Sequence, residues 1–149
     1  MVESDTIFDV GTAEDNKALV MECMAAMGTF EKDAYEPFLA DEPVYWVGMQ
    51  RQVGKEAIHA NMAIGRTVYP EPGAATSHVI AALADGNWVA VLLIRRAPTN
   101  RVANYENMYA IFCEVIDGKI ATFVENYDTA LAAQAFDLSA FESAGLGDG

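Results

Sequence analysis

Two Asp-Gly pairs, Asp85-Gly86 and Asp117-Gly118, each set between long runs of aliphatic, β-branched and aromatic residues, constrain this chain more than any other feature. Asp-Gly in that setting marks a tight hairpin, because glycine takes the positive φ that a turn matched to strand twist demands. The pattern predicts strands over 77–83 and 88–96, a long extended segment over 102–115 after Pro98-Thr99-Asn100, and a last strand over 120–127. Upstream the period changes. Thr12 and Asp15 form a capping box, and Leu19, Val20, Cys23, Met24 and Met27 trace one helical stripe, so a helix over 13–27 ends before Gly28.

A second helix is expected near 31–39, with Tyr35, Phe38 and Leu39 inward and Pro37 weakening it. Val44 to Val47 favour a strand that bends at Gly48; Gly54 opens a third helix through KEAIHANMAIG; and Tyr69-Pro70 begins a loop. A final helix is expected over 130–136. Helices first and a meander afterwards give an α+β fold, since a curved antiparallel sheet with one apolar face needs helices on one side only. With 149 residues, 52% of them hydrophobic, the chain suits one domain over 13–136. A flexible arm over 1–12 and a tail over 137–149 with a frayed glycine-rich end are expected to flank it.

Nine basic against 22 acidic residues give a net charge of -13, a field that repels phosphate backbones and anionic lipid surfaces. No nucleic-acid or membrane partner is expected. The N-terminal residues carry neither a basic region nor an apolar run, so the expectation is a soluble, cytoplasmic protein. Cys23 and Cys113 lack metal or redox spacing and read as reduced core residues. No cofactor or metal is expected, because no nucleotide-binding glycine motif, metal cluster or Ser/Cys triad emerges from the spacing.

Strand alternation over TFVENYD puts Phe123, Glu125 and Tyr127 on one face, so one carboxylate shares a side with two aromatics. Facing a cavity, Glu125 would lose hydration and gain a pKa suited to proton transfer; facing solvent, it would be an ordinary strand acid. Tyr45 shares a face with Val47 and can donate to a ligand oxygen or serve as a core aromatic. His59 and Asn61 lie two positions apart on the third helix and are alternatives rather than a pair. Asn107 shares its face with Tyr105, Tyr109 and Ile111, which suits a polar-topped aromatic pocket or cross-strand packing. Trp46, Phe123 and Tyr127 would orient an apolar skeleton. Asp128 is placed to cap the final helix. Arg95 and Arg96 can anchor an anion or neutralise the acidic surface, and His78 is a weaker candidate near a strand start.

The order of LADEPVYWVG, GKEAIHANM, the ADGNWVAV hairpin and YENMYAIFCEVIDGKIATFVENYD resembles the nuclear transport factor 2-like (NTF2-like) superfamily, in its SnoaL-like and ketosteroid isomerase-like branches, over residues 13–136. The resemblance implies a cone-shaped α+β fold whose curved sheet and helices enclose a deep cavity, commonly in a homodimer formed through the exposed sheet face. Locally the chain is most similar to the phenazine-biosynthesis A/B group, whose last-strand acid falls on Glu125. That group's helix histidine falls on Asn61, and an amide cannot replace imidazole in proton transfer.

Glu125 and Tyr45 also match a last-strand acid and a tyrosine of the limonene-epoxide-hydrolase branch, but Val47, Val91 and Leu93 stand where its remaining polar machinery would be. The ketosteroid isomerase base falls near Trp46. The resemblance therefore implies a cofactor-independent isomerase, cyclase or dehydratase acting on a small hydrophobic or polyketide-like metabolite, with Glu125 exchanging the proton and Tyr45, Asn107 or His59 holding an oxygen. The alternatives are a non-catalytic small-molecule-binding dimer and an epoxide hydrolase with a non-standard site.

Overall fold

The computed structural model describes residues 12–139. The expected arm, apart from Thr12, and the glycine-rich end lie outside the described residues. The described residues begin with α1 (Ala13–Met27), capped by the Thr12 hydroxyl accepting from the Asp15 amide. Next come a single turn, α2 (Lys32–Tyr35), and a 3₁₀ turn, Glu36–Phe38. The expected second helix is this short because Pro37 cannot donate to a continuing ladder, and the chain is already extended at Leu39.

Among the described residues six strands, numbered in chain order, form one sheet in the order β2-β1-β6-β5-β4-β3. They are β1 (Leu39–Val47), β2 (Gln50–Val53), β3 (Thr76–Asp85), β4 (Trp88–Ala97), β5 (Tyr105–Ile116) and β6 (Lys119–Tyr127). Among the described residues two longer helices join the sheet, α3 (Lys55–Val68) before β3 and α4 (Thr129–Ala135) after β6. The expected antiparallel sheet is antiparallel throughout except at one place: β1 runs parallel to β6. Strand β2 gave no signal in the sequence, since QRQV is polar and exposed and carries no alternating apolar face. Residues 102–104 belong to the loop before β5, where Thr99 and Val102 bond to each other.

Both hairpins form. Asp117 and Gly118 have φ of 51° and 72° and sit between the paired Ile116 and Lys119, the arrangement a type I′ turn requires. In the other hairpin Asp85 pairs with Trp88, so the two loop residues are Gly86 and Asn87. Glycine at the first of these, with φ 59°, is the type II′ pattern, one residue later than an Asp-Gly centred turn.

Strand β5 alternates almost perfectly between buried and exposed side chains. Its inner face contributes Tyr105, Tyr109, Ile111, Cys113 and Val115 to a core completed by Val20 and Cys23 of α1 and Ile58 of α3. Fully burying side chains such as Val20, Ile58 and Ile120 stabilises the fold by roughly 1.5–3 kcal/mol each. Both cysteines are free and buried. The buried Asn16 ties α1 to the β3–β4 turn by donating to the Gly86 carbonyl at 3.1 Å. Asn100 and Thr99 clamp the C-terminal segment, Thr99 donating to Ala135 and Asn100 to Thr67 and Asp137 carbonyls. Among the described residues no helix is long and apolar enough to cross a membrane.

Gly65 of α3 lies directly under the Phe30 ring, and a Cβ there would fall inside its van der Waals radius. Phe30 in turn stacks on Tyr69 with ring centroids 5.7 Å apart. Gly65→Ala gains about 1 kcal/mol of helix propensity but displaces an aromatic roof, an overpacking cost of about 1–3 kcal/mol. The variant is expected to unfold at lower urea concentration than the parent; a higher midpoint would show that the ring yields freely.

Candidate functional site

Between the concave face of the sheet and helices α1 and α3 lies a cavity of about 400 Å³. Its walls are mainly apolar: Met21, Met24 and Met27 from α1, Met62 from α3, and Leu93 and Ile111 from the sheet. Aromatic rings of Phe30, Tyr69, Phe123, Tyr127 and Phe136 complete it. The polar side chains that reach it are few, as a binding site for an organic molecule requires.

Glu125 is the acid among them. On β6 it lies opposite Val47 of β1 and Ile111 of β5, and alternation turns its carboxyl inward with the rings of Phe123 and Tyr127. Tyr45, almost fully buried on β1, donates its hydroxyl to Glu125 Oε2 at 2.8 Å. Burial raises the Glu125 pKa above its ordinary value of 4.5, while the Tyr45 hydrogen bond and the charge of Arg95 pull the other way. Burial, and then the adjacent carboxylate, push Tyr45 well above the ordinary phenol value, so it remains a neutral donor.

A second polar chain crosses the wall. Asn107 donates to the Tyr105 hydroxyl at 2.8 Å, the hydroxyls of Tyr105 and Tyr109 are hydrogen-bonded at 2.7 Å, and Tyr109 approaches Tyr69 at 3.4 Å. Tyr109 and Tyr127 pack with ring centroids 5.0 Å apart. Burial pushes Tyr127 up to about 12, with the Glu125 charge adding to the effect. A negative charge on Glu125 is thus felt by several phenols, none of which ionises near neutral pH.

The structure brings together Glu125, Tyr45, Asn61, Tyr109, Phe123 and Tyr127 around the cavity. Three expected site residues lie elsewhere. His59 points away: its Nδ1 meets the Tyr35 hydroxyl at 2.8 Å and its Nε2 meets Glu36 at 3.0 Å, because position 59 of α3 faces α2 while Met62 and Gly65 face the cavity. Trp46 projects from the opposite face of β1, with the Arg51 guanidinium 6.0 Å from its ring. Asn107 is buried behind the wall and braces the start of α4, donating to the Asp128 carbonyl and accepting from the Asp128 amide. Asn61 does line the cavity, but its amide protons go to Gln52 Oε1 and the Ala57 carbonyl. Asp128 caps α4 through the Ala130 and Leu131 amides. His78 is exposed on β3.

Sequence reasoning missed Tyr69, the methionines of α1 and Phe136 as cavity residues. Tyr69 follows the last residue of α3, where no periodicity indicates direction. Arg95, one of the two arginines offered as an anion anchor, lines the cavity in parity with Val91 and Leu93 on β4. Among the described residues no three His, Cys, Asp or Glu side chains converge.

No family model and no curated protein sequence matches this chain. Solved structures do match it in fold. An NTF2-like protein from Burkholderia xenovorans LB400 superposes with TM-score 0.65 at 18% identity, over 85% of this chain and 98% of that one. A protein provisionally assigned as a SnoaL-like polyketide cyclase, from Jannaschia sp. CCS1, gives 0.72 at 12% identity over 83% and 92% of the two chains. PrhC from Penicillium brasilianum NBRC 6234 gives 0.72 at 11% identity over 92% and 94%. The chain has the NTF2-like α+β fold, with N-terminal helices packed on a mostly antiparallel sheet.

Tyr45→Phe keeps the ring and removes the hydroxyl that lowers the Glu125 pKa. A folded-state pKa raised above the unfolded value makes stability fall as pH rises from about 4.5 through the folded value. Without the hydroxyl that fall should extend to higher pH. Urea titrations are expected to show a loss of about 1–2 kcal/mol at pH 8 and a smaller one at pH 5; equal losses would show that the hydroxyl does not favour the charged carboxylate.

Proposed function

We propose that the cavity binds a small, largely apolar organic molecule and that Glu125 exchanges a proton with it. The observation that carries this reading is one carboxyl, held by a buried phenol at 2.8 Å, facing an apolar cavity of about 400 Å³. Proton transfer is fastest when the base has a pKa near the working pH, and burial moves Glu125 in that direction. Tyr45 steadies the carboxylate and orients the oxygen it does not hold toward the guest. Tyr69 and Tyr127 offer hydroxyls for a carbonyl or enol oxygen as charge develops there. The reaction class is cofactor-independent acid/base rearrangement: isomerisation, cyclisation or dehydration of a hydrophobic or polyketide-like metabolite.

A homodimer accompanies this reading. The outer face of the sheet exposes Ile80, Met108, Phe112 and Ile116, each between 43% and 49% accessible, a run of apolar surface costly to leave in water. Arg96 and Glu106 form an ion pair on the same face. A two-fold axis through it would bury one apolar strip against its own copy.

Glu125→Gln is nearly isosteric and retains an acceptor for Tyr45. It is expected to preserve folding and ligand binding while reducing turnover by about 10²-fold or more; unchanged turnover would remove Glu125 from the chemistry. Binding without turnover by the parent, across cyclic enones and polyketide fragments, would favour a non-catalytic binding protein. For the dimer, Phe112→Asp is expected to give monomers by light scattering, and a dimer that survives both this change and Met108→Asp would place the interface elsewhere.

A further inference from the structure

Arg95 and Arg96 are consecutive on β4, so their side chains leave the sheet on opposite faces. Arg96 points outward and is neutralised by Glu106. Arg95 points inward, lines the cavity and is only partly exposed. Among the described residues it makes no ion pair, and its Nε is buried without an acceptor. Its guanidinium carbon lies 4.7 Å from the centroid of the Tyr69 ring, within cation–π range, and its charge and side-chain hydrogen bond oppose the rise that burial gives the Tyr69 pKa. Across the ladder its neighbours are Ser77 and Asn107, and Asn107 is already engaged with Tyr105 and Asp128.

In a chain with 22 acidic and nine basic residues, a cation in direct contact with no acid among the described residues is conspicuous; Glu125 feels its charge across the cavity without pairing to it. Among the described residues Arg95 is also the one Lys or Arg that lines the cavity, and it borders an adjoining pocket of about 350 Å³ that includes Thr29, Gly73 and Ser77. The charge therefore stands between a mainly apolar chamber and a smaller recess reaching exposed residues. A guanidinium presents N–H donors in a fork that matches the two oxygens of a carboxylate. With no second Lys or Arg lining either space among the described residues, the fork suits a monoanion better than a phosphate dianion.

We infer that the cavity takes an organic acid, an apolar skeleton bearing one carboxylate, and that Arg95 anchors the carboxylate while the skeleton lies toward Glu125. The inference rests on the reading of the cavity as a small-molecule site. It adds a charge and an orientation to the guest: the carboxylate sits near Ser77 and the outer part of α1, and the reacting carbon lies deeper.

Calorimetric titration with 2-naphthoate and with the isosteric, uncharged 2-naphthamide tests it. The parent protein is expected to bind naphthoate about 10- to 100-fold more tightly than naphthamide, the range for charge-assisted hydrogen bonds. Arg95→Gln is expected to weaken naphthoate by a similar factor and to leave naphthamide within about threefold. Arg95→Lys, which keeps the charge and loses the fork, should fall between the two. If Arg95 only tunes Glu125, removing it leaves that carboxyl more protonated and less repulsive, so naphthoate would bind Arg95→Gln as well as or better than the parent. That outcome overturns the inference. So does equal binding of acid and amide to the parent, which leaves the cavity reading standing. Binding of neither probe overturns the inference and the cavity reading together.

Discussion

The architecture of this molecule depends on one parallel pairing in an otherwise antiparallel sheet. Strand β1 leaves the N-terminal helices and lies beside β6, with Tyr45 opposite Phe123 and Val47 opposite Glu125. Had β1 lain at the far edge beside β3, Tyr45 and Glu125 would be separated by the width of the sheet. Instead, residues 80 apart in sequence meet at 2.8 Å. The pairing also makes β6 an interior strand, so the Glu125 carboxyl is shielded on both sides by neighbouring strands and opens only toward the cavity. The burial that raises the Glu125 pKa follows from that position.

The balance of polar and apolar groups inside is different from that outside. The chain carries a net charge of -13, while among the described residues the cavity wall holds one carboxyl and one guanidinium amid methionines, aliphatics and aromatic rings. In such surroundings each charge is poorly screened and acts over a longer range than it would in water. Glu125 accordingly influences Tyr45, Tyr69 and Tyr127 without touching all of them. The tyrosine chain from Asn107 to Tyr69 supplies partners to hydroxyls that burial would otherwise leave unpaired.

Much of this was legible before the tertiary structure. The two hairpins were written in Asp85-Gly86-Asn87 and Asp117-Gly118, because few residues adopt the backbone those turns need. Alternation along TFVENYD placed Glu125 with Phe123 and Tyr127 correctly, since a strand offers only two faces. His59 misled for a related reason: a helix offers a full circle of directions, and only the position of α2 decides which of them is inward. Asn107 did share its face with Tyr109, yet it sits near the end of the strand where that face meets α4 rather than the cavity. Trp46 was an aromatic on the wrong side of a strand whose parity already indicated so.

The sequence by itself determined the two hairpins, the first and third helices and the side of the strand on which Glu125 and Tyr45 stand, because those depend on backbone sterics and periodicities that act over a few residues; the polar β2 carried no such period. Only the tertiary structure decided which strands became neighbours, that an apolar space would remain between the sheet and α1, and that Tyr45, Glu125 and Arg95 would all reach it. Such meetings join residues tens of positions apart. Their outcome is set by how whole layers pack, a property to which no local stretch of chain has access.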